Sequence, residues 1–491
     1  MMSPERSTNT TRDPVSSSGF RKETERERHF DWPLCYEAEN EILRLIQDVT
    51  AKNRFCRHLA DRMLRETGTL LIDWTDHLGA GPGVEEALRP FGYLHDESAE
   101  VPPSHRALGH PKAMLPRVLI ERDGTRGAGV TTLALKVDDL GDFLSAHGFS
   151  KEPEGEPFGR YRRVRVAEEH GTCVEAVERR GYRGFLTAPN EAVPLEVRLR
   201  AMELWKTRPR RSGSEEEAYE RCLLQLDKII GMVGADAACH IVFAEERRYW
   251  EGRNRAARVQ KFAQDRLGLG WANHDHHTFR SSRRHFLDLM RFLEKLGFER
   301  RERYYAGAEA GWGAQILEQP VEGIVTFCDV DLRPEETEMD FSRHPLPEVD
   351  RLGTIGLWIG LHGESFLQAG MHHLECRFDF ERTRERLATE GIDTMKPFSD
   401  FPFLKQAFTE GERWPVTAER IDRLLHTGRI TAEQADRFGK EGALGSHLEN
   451  LQRKGGFKGF NQTSVSAIIA ATDPRLVEPG VRPCMQGPGQ G

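Results

Sequence analysis

Three stretches of the sequence share one grammar: a strand-like run, a short polar turn, an amphipathic helix, then glycine and a hydrophobe. They are LALKVDDLGDFLSAHGF (133–149), HTFRSSRRHFLDLMRFLEKLGF (277–298) and LECRFDFERTRERLATEGI (374–392), with a fainter copy in LLIDWTDHLGAGPGVEEALRPFGY (70–93). In the second copy Phe286, Leu289, Met290 and Leu293 form the stripe that a helix buries against a sheet. More strand-like runs follow each opening: YRRVRVAEEHG and TCVEAVERR after the first, RYYAGA, GAQILEQP and GIVTFCDVDL after the second. The repeated unit is therefore βαβββ. One such unit cannot close a sheet alone, whereas two side by side form a cup whose concave face collects inward residues from several strands. The predicted class is α+β: tandem βαβββ units forming cupped mixed β-sheets, with helical N-terminal and inserted segments.

The texture between the units sets the expected boundaries. Residues 1–30 are polar and charged with no apolar core, which predicts a disordered arm rather than a secretory signal or transit peptide. Residues 31–205 read as an N-terminal helix, with Ile42, Leu45, Ile46 and Val49 on one face, followed by degenerate βαβββ units. The basic patch KTRPRRSGS places a solvated linker at 206–214, and 215–270 reads as a helical connector. Paired units then occupy 271–471, with a helical insertion at 415–452 marked by the capping box of Thr431 and Gln434. The Pro/Gly-rich segment 472–491 reads as a loose tail.

Composition narrows the function classes. With 70 basic against 78 acidic residues the net charge is -8, so the chain lacks the basic excess of a nucleic-acid binder. No apolar run reaches the length that spans a bilayer. The eight cysteines form no Cys-x-x-Cys pair, and reduced thiols in a cytoplasmic protein are the expectation. Neither a Gly-x-Ser-x-Gly elbow nor a phosphate-binding glycine loop is present. The oligomeric state is left open, a homo-oligomer included.

The chemistry concentrates in WANHDHHTFRSSRRHF (271–286) and GMHHLECRFDF (370–380). Side chains alternate along a strand, so His274, His276, Thr278 and Arg280 are expected on one face and His277 and Phe279 on the other. In the second segment His373, Glu375 and Arg377 share a face. Each strand thus offers a histidine with an arginine four residues on. Two imidazoles and one carboxylate make the facial triad that holds Fe(II) or Mn(II) with open positions. Asp329 is the candidate carboxylate, because it closes the unit that His276 opens; Glu375, Glu175 and His274 are the alternative ligands. Arg280 lies about 13 Å along the strand from His276, a reach that suits the far carboxylate of a small diacid.

The unit grammar resembles the vicinal-oxygen-chelate superfamily of glyoxalases and extradiol dioxygenases. There, ligands come from the first strand of a unit and from a carboxylate on its last strand. EEHGTCVEAVE looks like that family's closing hairpin, with Glu175 after the turn. The half from about 270 to 470 is most similar to the 2-oxoadipate dioxygenase/decarboxylase family, through His276-x-x-x-Arg280, the Tyr-Tyr hairpin RYYAGAEAGWGA, His372-His373-Leu374 and Gln462-Thr463-Ser464, in that order. The resemblance implies a non-haem Fe(II) oxygenase acting on a small 2-oxo acid and O2, with His276 and His373 on the metal and Arg280, Arg377 and Gln462 toward substrate. The sequence departs from the family at one point: the family's last metal carboxylate follows its Gln-Thr-Ser strand, and none follows here, so the third ligand must come from elsewhere. The strand TTLALKV carries no histidine, which predicts a non-catalytic N-terminal half. The alternatives are a glyoxalase-like isomerase or lyase, and a small-molecule-binding protein without turnover.

Overall fold

The computed structural model describes residues 32–475 except 123–128, 188–192, 212, 307–309, 338 and 462–472. The first thirty residues, most of the C-terminal tail and the Gln462-Thr463-Ser464 motif lie outside the described residues.

Two mixed sheets carry the chain. The N-terminal one contains β1 (Thr75–Ala80), β2 (Leu94–His95), β3 (His105–Gly109), β4 (Arg117–Glu121), β5 (Val130–Lys136), β6 (Tyr161–Glu169) and β7 (Thr172–Arg179), in the order β2-β3-β4-β1-β5-β7-β6. The C-terminal one contains β8 (His274–Arg280), β9 (Glu299–Tyr305), β10 (Trp312–Gln319), β11 (Ile324–Asp331), β12 (His373–Arg377), β13 (Ser399–Phe401), β14 (Leu404–Phe408), β15 (Glu412–Trp414) and β16 (Ala443–Arg453). Its order is β13-β14-β16-β12-β8-β11-β10-β9, with β15 also on β16.

In every unit the first strand pairs in parallel with the last: β1 with β4, β5 with β7, β8 with β11 and β12 with β16. Parallel neighbours need a crossover, and the helices Pro82–Leu88, Leu140–Ala146, Phe286–Lys295 and Phe380–Thr389 begin it. The two first strands of each half then meet antiparallel, β1 on β5 and β8 on β12, which joins the units at their centre. The expected tandem βαβββ architecture is what the chain adopts.

Two expected segments are corrected. The insertion is helical only over Ala418–His426 and Ala432–Glu441, the latter capped by Thr431 as the sequence indicates; from Ala443 the chain is β16. Nearly every residue of β16 is buried, so it shows no in–out alternation, and its Leu, Glu, Asn and Gln content suits a helix equally well. Strand pairing on both sides overrides that propensity. The basic stretch at 206–214 is exposed over most of its described residues, but two of its arginines are tied down. Arg208 and Arg210 both reach the buried carboxylate of Glu246, at 2.6 and 2.9 Å, and the Arg208 guanidinium stacks 3.8 Å over Trp205. They fasten the segment to the helix Ala235–Glu251.

That helix, with Leu195–Lys206 and Glu215–Val233, shares one core with the C-terminal sheet: Trp205, Ile229 and Phe243 pack with Phe279, Leu374 and Leu448. One face of the sheet is thereby sealed. The opposite face holds the polar cavity.

Candidate metal centre in the C-terminal cup

β8 and β12 lie side by side, and both put a histidine into one buried cavity of about 60 Å³, lined also by Trp312, Phe327, Phe408 and Phe460. His276 and His373 have ring centroids 5.9 Å apart. The third member is Glu449 of β16, with Oε2 at 3.1 Å from His373 Nε2 and 4.0 Å from His276 Nε2. One ligand atom from each of the three falls within 4.8 Å of the others. Adjacent ligands of one ion at bonds of 2.0–2.2 Å stand about 3 Å apart, so small side-chain adjustments close this set around a cation.

Glu375 completes the cluster. Its Oε2 lies 2.7 Å from His276 Nε2, and Gln406 Nε2 bridges it to Glu449 at 3.4 and 3.2 Å. Burial, and then the neighbouring Glu449, push the Glu375 carboxyl well above its usual range; burial also raises Glu449. Burial lowers both imidazoles, His373 further through the Arg280 charge, so both stay neutral with a lone pair to give. Two imidazoles and two carboxyl groups converge, and the nearest cation, Arg453, touches only the far oxygen of Glu375, at 3.8 Å, so His276, His373 and Glu449 form a donor set that fits a divalent metal. Asp275, His276 and Glu375 form a second cluster of the same type, but Asp275 is already neutralised by bidentate contacts of 2.9 and 3.0 Å to the buried Arg453. That leaves Glu449 as the candidate third ligand.

The sequence-derived candidates separate. Asp329 reaches the cavity wall but not the ligand group; its Oδ2 faces Arg280 Nε at 3.8 Å. Burial pushes its carboxyl up to about 7, against the pull of Arg280. Arg280 is 1% exposed, and its Nε and Nη1 have no hydrogen-bond partner. His274 does not share a face with His276: the β8–β12 register slips at Asp275, and His274 turns to meet His277 edge to face, ring centroids 5.2 Å apart, on the helix-covered side. A bulge of this kind admits one extra residue, and here it swings Asp275 toward Arg453. Arg377 leaves the cavity altogether and donates Nη2 to the Asp73 carbonyl at 2.9 Å. Glu175 belongs to the N-terminal sheet, held by Arg165 at 3.0 Å. Gln462 lies outside the described residues.

Glu449, Asp275 and Arg453 escaped the sequence reading, yet a signal for them is present. The N-terminal sheet repeats the arrangement position for position, with some residues changed. His77 is opposite Ala134, which is opposite Glu175; His276 is opposite Glu375, which is opposite Glu449. In both sheets an Asp precedes that histidine and an Arg follows that glutamate by four: Asp76 binds Arg179 at 2.6 and 2.9 Å, as Asp275 binds Arg453. The paired motifs Asp-His and Glu-x-x-x-Arg recur at 76–77 and 175–179, then at 275–276 and 449–453. Thr132, opposite Gly79, stands where His373 stands opposite Thr278. The N-terminal cup keeps His77 and Glu175 and has a threonine in place of the second imidazole; His105 lines the same cavity, but from β3.

No family model matches the chain, and no curated protein matches it. Solved structures similar to it include a variant of 4-hydroxymandelate synthase from Streptomyces coelicolor, 12% identical over 82% of this chain and 98% of that one, TM-score 0.27. Methylmalonyl-CoA epimerase from Mycobacterium tuberculosis is 11% identical over 37% of this chain and 88% of that one, TM-score 0.22. A xylose isomerase-like TIM barrel/4-hydroxyphenylpyruvate dioxygenase fusion protein is 12% identical over 82% and 52%, TM-score 0.22.

Proposed function

We propose that the chain is a mononuclear non-haem, metal-dependent oxygenase of the dioxygenase/decarboxylase kind, acting on a small 2-oxo acid such as 2-oxoadipate. The observation that carries this reading is the convergence of two neutral imidazoles and one carboxylate in a buried, aromatic-walled cavity, beside an under-bonded arginine. Two nitrogens and one oxygen on one side of an ion suit Fe(II) or Mn(II) and leave positions free. When bound, such an ion supplies a Lewis acid for the 2-oxo carboxylate and a site for O2.

The protein's own groups supply the rest. His372 Nδ1 lies 2.9 Å from His373 Nδ1 and orients that ring from the nitrogen turned away from the cluster, while Thr278 Oγ1, 2.8 Å from Nε2, holds the place a metal would take. Glu375, with its raised carboxyl, holds a proton next to His276. Arg280 offers a fork of unsatisfied donors on the strand that carries His276, placed for the far carboxylate of a diacid. Asp329 keeps that fork in place without fully neutralising it, since its own carboxyl is protonated for much of the time near pH 7. The aromatic wall excludes water from the reacting atoms.

The test is anaerobic loading with Fe(II) or Mn(II), followed by O2 uptake and CO2 release with 2-oxo acids that have or lack a second carboxylate. Uptake with a preference for the diacids supports the proposal. Metal binding with isomerisation but no O2 uptake would favour the glyoxalase-like alternative. Failure to bind metal would leave a binding protein.

A further inference from the structure

Between the two sheets lies a second and much larger cleft, of about 580 Å³, outside the metal cavity. Its walls come from both halves: Asp76, Asp96, Arg117, Lys136, Arg179 and Arg183 from the N-terminal one, Glu318, Glu322, Arg377 and Lys458 from the C-terminal one. That volume falls within the range of ordinary small-molecule sites, which favour the junctions between domains.

The charges in the cleft do not cancel. Each carboxylate is already engaged: Asp76 with Arg179 at 2.6 Å, Asp96 with Arg183 at 3.4 Å, Glu318 with Lys458 at 3.0 Å and Glu322 with His240 at 3.1 Å. Two cations are left over. Among the described residues Lys136 has no carboxylate within 4.0 Å and donates no hydrogen bond, although it is half-buried. Arg377 pairs with no carboxylate either; it spends Nη2 on a backbone carbonyl, and its buried Nε meets no acceptor. Glu322 and Asp76 act on Lys136, and Asp73 on Arg377, only from beyond contact distance, so both cations keep donors free toward the cleft, and a half-buried cation without a contact partner favours an incoming anion.

We propose that this seam cleft binds a small organic polyanion through Lys136 of the N-terminal sheet and Arg377 of the C-terminal sheet. The anionic groups are phosphates or carboxylates; a lysine ammonium and an arginine fork accept either. Lys136 ends β5 and Arg377 ends β12, the strand that carries His373 and Glu375. An occupant therefore ties the strand of the metal centre to the other half of the molecule, four residues from a ligand.

The experiment is calorimetric titration of the full chain with fructose 1,6-bisphosphate and, separately, with tricarballylate. Binding of the bisphosphate alone identifies phosphate as the recognised group, and binding of the tricarboxylate alone identifies carboxylate. Lys136→Gln should weaken whichever binds at least tenfold, and Lys136→Arg should retain it. Arg377→Gln should weaken it similarly, but its contact with the Asp73 carbonyl makes the Lys136 pair of variants the deciding measurement. The same titration on His276→Ala should give wild-type affinity, since that residue belongs to the cavity and not to the cleft. No binding of either probe at millimolar concentration overturns the proposal. So does wild-type affinity in Lys136→Gln, or loss of binding in His276→Ala, which would move the ligand to the metal cavity.

Discussion

Glu449 and Asp329 are both buried acids on last strands of their units, and their surroundings assign them different work. Glu449 sits 3.1 Å from His373, whereas Asp329 faces a guanidinium. Glu449→Gln should abolish stoichiometric metal binding while the chain stays folded, because the ligands lie on a sheet that is already packed. Asp329→Asn should keep the metal. Elemental analysis and melting temperature on both variants check this, and metal loss from Asp329→Asn with retention in Glu449→Gln would reverse the assignment. Asp329 also makes a pH prediction for the metal-free protein. Its carboxyl is raised to about 7 when folded, so between roughly pH 4 and 7 the folded state holds a proton that the unfolded state has released. This contribution to stability is complete below that window and is lost as pH rises through it, by at most about 1.4 kcal/mol per pH unit. Wild type should therefore lose stability relative to Asp329→Asn as pH rises from 4 to 7, as urea unfolding at several pH values would show. Parallel profiles for the two proteins would mean that Asp329 is ionised throughout.

At the scale of elements, the strand–helix openings were legible because their apolar spacing is local. LALKV, HTF and LECRF all fall on first strands, and the runs that follow them fall on the crossover helices. What the sequence concealed depends on contacts made far away. A bulge at Asp275 is set by register against β12, and no alternation rule within HDHHTFR can show it. β16 is buried on both faces and composed of residues with ample helix propensity, so it merged with the helices before it, and the third ligand vanished with it. Arg377 kept the spacing of Arg280, and both arginines end their strands, but Arg280 turns to Asp329 whereas Arg377 is drawn out of the cavity to the Asp73 carbonyl, a contact with a residue 304 positions away that no local spacing can show. The ion pair from Asp275 to Arg453 spans β8 and β16 across the intervening β12. Both partners are buried, so Asp275→Asn should leave the guanidinium with only the long 3.8 Å contact to Glu375 and cost about 3–5 kcal/mol. A fall of less than about 1 kcal/mol in chemical denaturation would show that the pair is dispensable.

For the whole molecule the duplication predicts asymmetry. Both sheets retain the Asp–Arg tie, but among the described residues the metal-type clusters lie in the C-terminal sheet alone. Fully loaded protein should therefore carry one ion per chain, and Glu175→Ala should leave that ratio unchanged. A ratio of two, or one that falls with Glu175→Ala, would bring the N-terminal cup into the chemistry. The insertion ahead of β16 adds an element of timing. Both imidazoles precede it in the chain and the carboxylate follows it, so at about 5–20 residues per second on the ribosome the later histidine is made roughly 4–15 seconds before Glu449. Until then the nascent chain has a half-formed binding place with two weak donors. On the proposed ligand set, metal capture would come last in biosynthesis, after β16 has slotted between β12 and β14, and an ion held tightly would report a finished protein.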